Sequence, residues 1–137
     1  MSIRRLLTSR GPSLERQQTI AIHEAGHAVA ARMLGATDIA VNVGRRAGGF
    51  SFTFDGSAYD EAVILLAGHE AEVALTGADS GGASYDLKQA RKVLRYQLVP
   101  LASAGTTAAE LVRGARLDIE AEAARLLDGA LIGRRAA

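Results

Sequence analysis

The sequence has no cysteine, which excludes a disulfide scaffold and every cysteine-based metal site. A cytoplasmic location is compatible with that absence and is the expectation. Tryptophan is missing, proline occurs twice, and no unbroken apolar stretch is long enough to span a bilayer, so no membrane partner is expected. The opening residues MSIRRLLTSR are basic but lack the apolar centre of a secretory signal. An excess of one charge is missing too. Sixteen basic against fifteen acidic residues leave a net charge of +1, which gives no electrostatic case for nucleic acid. What is present is a globular composition, 48% hydrophobic over 137 residues, enough for one real core but hardly for two.

The pattern along the chain is mostly helical. Residues 1–12 read as a flexible N-terminal segment and 13–137 as one domain. Pro12 and Ser13 suit a first helical turn, and the helix they open runs to about Leu34, with Gly35 placed to close it. On that helix Ile22, Gly26, Val29 and Met33 share an apolar face, while Gln17, Ala21, Ala28 and Arg32 are expected to face water. His23 and His27 occupy a strip beside the apolar face, where a cleft wall would lie. "DIAVNV" and "GGFSFTF" read as two strands joined by the turn "GRRAGG", with Phe50, Phe52 and Phe54 on one side and Ser51 and Thr53 on the other. Ala58 to Thr76 forms a second helix, apolar almost all round and hence central, with Glu61, His69, Glu72 and Thr76 as its polar strip. After the glycine-rich "GADSGGAS", a third helix capped by Ser84 runs to just before Pro100. Thr107 and Glu110 have capping-box spacing and open a fourth. The fold class is α+β, mainly α-helical, with a small β-hairpin.

The chemistry concentrates in "IAIHEAGHAVAARMLG", Ile20 to Gly35. Side chains four apart on a helix project side by side, so the imidazoles of His23 and His27 can bind one cation. Glu24 is displaced by about 100° round the helix, too far to serve easily as a ligand but able to reach a water on the same ion. That is the division of labour in the H-E-x-x-H pattern: two ligands and a general base. A catalytic zinc needs a third protein ligand from elsewhere. By donor chemistry the candidates are His69, Glu70, Glu72, Asp79 and Asp86.

Three segments in order, "AIHEAGHAVAARML", "LAGHEAEVAL" and "SGGASYDLKQARKVLRY", resemble the peptidase domain of the FtsH-type ATP-dependent zinc metalloproteases. That family carries a histidine pair of this kind, then "LAGRAAEEL", then "TTGASNDL" opening a later helix. The resemblance runs from about Leu14 to Val99 and implies a zincin-like fold. It implies one Zn²⁺ held by His23, His27 and Asp86, with Glu24 as catalytic base. The Gly-Ala-Ser at 82–84 stands as in the family pattern, and Asp86 in a first helical turn after a glycine-rich loop suits an ionised carboxylate. Glu72 matches a family glutamate and is a candidate acceptor for the second N–H of a ligand imidazole. In zincin-like folds substrate adds as an extended strand, which makes Gly49, Phe50, Ser51 and Phe52 the candidate substrate-binding residues. Arg45 and Arg46 in the preceding turn read as solvated.

The departures also carry meaning. His69 replaces an arginine, Ser80 and Gly81 replace two threonines, and Tyr85 replaces an asparagine, each with consequences for substrate fit rather than for the ligand set. No G-x-x-x-x-G-K-[ST] loop is present. The expected activity is therefore that of a stand-alone zinc endopeptidase cleaving extended or unfolded segments of protein or peptide substrates. It would be helped where needed by a separate ATPase or adaptor. Self-association is permitted by the apolar second helix. The alternative is a peptidase-derived adaptor or regulatory module that keeps the metal without proteolysis.

Overall fold

A computed structural model describes residues 12–78, 80, 81 and 83–136. Its elements are α1 (Pro12–Met33), β1 (Thr37–Val43), β2 (Gly48–Thr53), α2 (Ala58–Thr76), α3 (Ser84–Leu94), α4 (Leu101–Gly114) and α5 (Arg116–Ala136). The two strands pair antiparallel, and the class is α+β, mainly α-helical. The expected N-terminal segment lies outside the described residues except for Pro12, which begins α1. Among the described residues no helix is long and apolar enough to cross a membrane.

α1 is the axis of the molecule and is buried all round through its middle. Ile22, Ala25, Ala28, Ala30 and Ala31 have no exposure. Alanine explains this: side chains so short leave no broad polar face, and neighbours can approach from every direction. α2 covers one side. The end of α4 and the length of α5 cover another, where Val112, Ile119, Ala123 and Leu127 join α1 and α2 in one apolar cluster. The face expected toward water is correspondingly wrong for Gln17, Ala21 and Ala28, which are buried, while Met33, assigned to the apolar face, is 59% exposed. Gln17 is tolerated inside because its side-chain amide donates to the Gly44 carbonyl in the hairpin turn, 3.1 Å away.

α2 lies between two layers. Its other face carries Ala62, Val63 and Leu66 against Ala90 and Leu94 of α3 and Ala104 and Ala108 of α4. Ser57 caps its start by accepting the Asp60 N–H, and Gly77 closes it with a left-handed φ of 74°. The expected hairpin forms, with Val41 opposite Phe50 and Ala40 opposite Ser51 and an irregularity between Thr37 and Ala40.

Four boundaries differ from the sequence reading. Ser84 is the first residue of α3 rather than its cap, because the preceding Ala83 holds the cap position without a side-chain bond. α3 stops at Leu94, where the Gln97 N–H turns back to the Leu94 carbonyl. The capping box at Thr107 and Glu110 does not form. The extended Pro100 starts α4 seven residues earlier than Thr107, and the Thr107 hydroxyl instead meets the Tyr59 phenol at 2.5 Å. The expected fourth helix is two helices, broken at Ala115, whose φ of −102° and ψ of 17° leave the helical range.

Candidate metal centre

The site forms where α1 and α2 cross, and the crossing depends on a glycine in each. A Cβ at Gly26 would come within 2.6 Å of the Ala71 Cβ and 2.7 Å of the Ala67 carbonyl oxygen. A Cβ at Gly68 would fall on the His27 Nε2 and lie 2.8 Å from the His23 Nε2. Gly68 escapes a search for ligand types, since it donates nothing. Its signal is an isolated glycine inside a long apolar helix, where alanine would be more stable by about 1 kcal/mol.

The hydrogen bonds behind the imidazoles fix where their lone pairs point. The His27 Nδ1 lies 2.9 Å from the Ile64 carbonyl oxygen, which can only accept, so Nδ1 carries the proton and Nε2 is left as a lone pair. The His23 Nδ1 lies 2.6 Å from the Glu72 Oε1. The other oxygen of Glu72 accepts from both the backbone N–H and the hydroxyl of Ser80, at 3.2 and 2.7 Å. Burial alone would raise the Glu72 pKa, but His23 and Ser80 outweigh it and hold the carboxyl below its ordinary value. Glu72 is thus an anion that accepts a hydrogen bond from the His23 Nδ1–H.

Both Nε2 atoms then face the same point. They are 3.0 Å apart, and the Asp86 Oδ2 lies 2.8 Å from His23 and 3.1 Å from His27. Three ligands of a tetrahedral zinc, with bonds of about 2.0–2.1 Å, sit about 3.3 Å from one another. The triangle observed is of that size. Among the described residues, His23, His27 and Asp86 are the group whose donor atoms converge in this way. A single proton can serve one edge of such a triangle, whereas a small divalent cation serves all three. In the metal-free protein the proton is held tightly. Burial opposes the charged form of His23, yet Asp86 and Glu72 prevail and raise its pKa from 6.5 to about 9. Burial would likewise raise the Asp86 pKa, but the two imidazoles keep its carboxyl well below the usual carboxylate range.

Glu24 stands next to this triangle and is 7% exposed. Its Oε2 is buried and has no hydrogen-bond partner among the described residues. Burial is the largest influence on its carboxyl and raises its pKa; the two imidazoles oppose that and Asp86 and Glu72 add to it. A buried carboxylate oxygen without a donor, beside three converging lone pairs, fits a water held by a cation better than it fits a packed interior.

A cavity of about 1010 Å³ opens onto the triangle and Glu24. Of the predicted substrate residues, Gly49, Phe50 and Phe52 line it, whereas Ser51 is exposed and outside its lining, on the opposite side of the strand. Phe50 has a role that strand alternation did not reveal. Its ring stacks on His27 at 4.9 Å with the planes 8° apart, and Phe52 stacks on Phe50 at 5.0 Å. Tyr85 lines the rim and is 71% exposed. Of the remaining ligand candidates, His69 and Glu70 are outside the converging group and Asp79 lies outside the described residues, as does Gly82 of the Gly-Ala-Ser pattern. Arg46, expected in solvent, is exposed but lines the cavity.

The chain matches no protein-family model and no curated protein. Fold and site define a mainly helical protein with a candidate cation centre of two imidazoles and one carboxylate, open on one side to a cleft.

Proposed function

We propose that this chain is a zinc-dependent endopeptidase of the FtsH-like type, acting on extended or unfolded segments. The observation that carries the reading is the convergence of the His23 and His27 Nε2 atoms and the Asp86 Oδ2 on one point, with each Nδ1 turned to an acceptor behind the ring. His23, His27 and Asp86 would hold the zinc, which supplies Lewis acidity and lowers the pKa of a water at neutral pH.

The rest of the chemistry belongs to the chain. Glu24 takes the proton of the attacking water and delivers it to the leaving amine. Its burial moves its pKa upward, and its Oε2 has no other hydrogen-bond donor among the described residues. Phe50 and Glu72 hold the imidazoles in place. β2 is bonded to β1 along one edge, and its residues line the cleft, so the other edge offers backbone groups to a peptide in extended form. Such binding selects chains that are already unfolded.

The test is metal analysis of the purified chain together with cleavage of casein and a peptide library, wild type against Glu24→Gln. The wild type is expected to bind about one zinc and to cleave. Glu24→Gln is expected to keep the metal and lose about 100-fold or more in kcat/KM. Metal binding with no Glu24-dependent cleavage would favour the adaptor reading, and no metal binding would remove the enzymatic one.

A further inference from the structure

The cleft has a direction, and its two ends differ in charge. Phe50 stacks on His27, while a Cβ at Gly48 would meet the Ile20 and Glu24 side chains at 2.7 and 2.8 Å. β2 therefore advances along α1 in the same sense as the helix. Arg46, two residues before Gly48, lies toward the start of α1, where Arg16 stands two turns ahead of His23. Both arginines line the cavity, both are exposed, and neither has an ion-pair partner among the described residues. α2 runs the opposite way, since Glu72 meets His23 and Ile64 meets His27. Its Glu61, also lining the cavity, is accordingly at the far end, beyond His27.

An added strand pairs most stably antiparallel. Along the open edge of β2 such a peptide runs from the Phe52 end toward Gly48, so the residues following the scissile bond extend toward Arg16 and Arg46. Seven helical residues separate Arg16 from His23, about 10 Å along the axis, which an extended peptide covers in roughly three residues. Resting on the peptidase reading, we propose that Arg16 and Arg46 form a subsite for a carboxylate about three residues to the C-terminal side of the scissile bond. Guanidinium groups suit that ligand because they bind carboxylates through paired N–H donors. Glu61 disfavours the same charge at the other end, so the cleft orients the peptide as well as selecting it. The carboxylate is either a chain terminus, which would make the protein a trimmer of free tails, or an acidic side chain.

Three fluorescein-labelled, alanine-rich octapeptides separate the cases: one with a free C-terminal carboxylate, one with a C-terminal amide, and one amide with Glu in the third-last position. Their binding to the zinc-loaded full chain carrying Glu24→Gln is read by anisotropy, so no turnover is needed. Wild-type cleavage of the same peptides is mapped in parallel by mass spectrometry. One or both acidic peptides should bind about fivefold tighter than the neutral amide. That ratio should fall toward one when Arg16→Gln and Arg46→Gln are added, and at high salt, where screening removes it. Which acidic peptide gains identifies the source of the carboxylate. Equal affinities overturn the subsite, as does a preference that survives both substitutions, or cleavage products that put the acidic group on the N-terminal side. Should the wild type cleave nothing while the arginine-dependent preference persists, the peptidase reading falls and the subsite stands.

Discussion

Two clusters of buried carboxylate sit on α1, and they are opposite in kind. Near the end of the helix, Arg32 and Arg125 both donate to Glu122, at 2.9 Å and 2.6 Å on Oε1, with a further Arg125 bond of 3.0 Å to Oε2. Two turns earlier, Glu72 and Asp86 bond two imidazoles whose Nδ1 protons are already committed, and the Glu24 carboxyl lies beside them. Burial does not separate the two, since Glu122 is 8% exposed and Glu24 7%. Counter-charge does. The first cluster carries its own cations and is complete as a structural tie between α1 and α5. The second has acceptors in surplus, and its one positive charge is the proton His23 holds, so in the proposed reading it would be completed by a cation.

Substitutions at the two clusters should therefore fail in different ways. The largest effect is expected from Gly68→Ala, whose methyl group would displace His27 Nε2. Zinc titration should show no specific binding, with a stability cost of about 1–3 kcal/mol from overpacking. Wild-type zinc affinity in that variant would mean that the crossing does not set the site. Glu72→Gln should keep the fold but weaken zinc by about 10- to 100-fold, measured by competition with a chelator, because the His23 tautomer loses its anionic acceptor.

pH should sharpen the contrast. The His23 pKa in the metal-free protein is raised from 6.5 to about 9, so its stabilising contribution is complete below pH 6.5 and lost as pH rises through about 9. The metal-free melting temperature is expected to fall over that window, and the upward shift caused by zinc to widen, because zinc no longer competes with the proton. A zinc-induced shift that does not change with pH would remove the claim that proton and metal share the site. Glu122 behaves in the other direction. Burial would raise its pKa, but its two arginines hold it below 4.5, so its contribution is present above that pH and lost as pH falls through the folded value. Glu122→Gln should produce the smallest change, about 1 kcal/mol or less, because the arginines it leaves are half exposed. Thermal melts should show a flatter acid limb and an unchanged zinc response.

The sequence disclosed what is local. His23 and His27 could be paired from spacing alone, because four residues on a helix decide their proximity. The α1, α2 and hairpin segments were legible for the same reason. Asp86, 63 residues from His23, was suggested by resemblance and by no spacing rule, since its approach depends on the path of a loop. The contacts that hold the ligands, the Ile64 carbonyl behind His27, the Phe50 ring on its face and Ser80 behind Glu72, join separate elements and leave no periodic trace. The inverted face of α1 has a different cause. Its alanines give no strong amphipathic signal, and the Thr107 and Glu110 spacing does not mark the start of α4. That spacing also occurs inside helices, and Pro100 was the stronger marker.

The close approach of α1 and α2 at Gly26 and Gly68 would also gauge ion size in the proposed centre. Donor atoms separated by 2.8 to 3.1 Å suit a cation of short bonds and few ligands. Calcium, which gathers six to eight oxygens at about 2.3–2.6 Å, would have to prise the helices apart to enter. In the proposed centre, discrimination against a large divalent ion would thus reside in two absent methyl groups, neither of which belongs to a ligand.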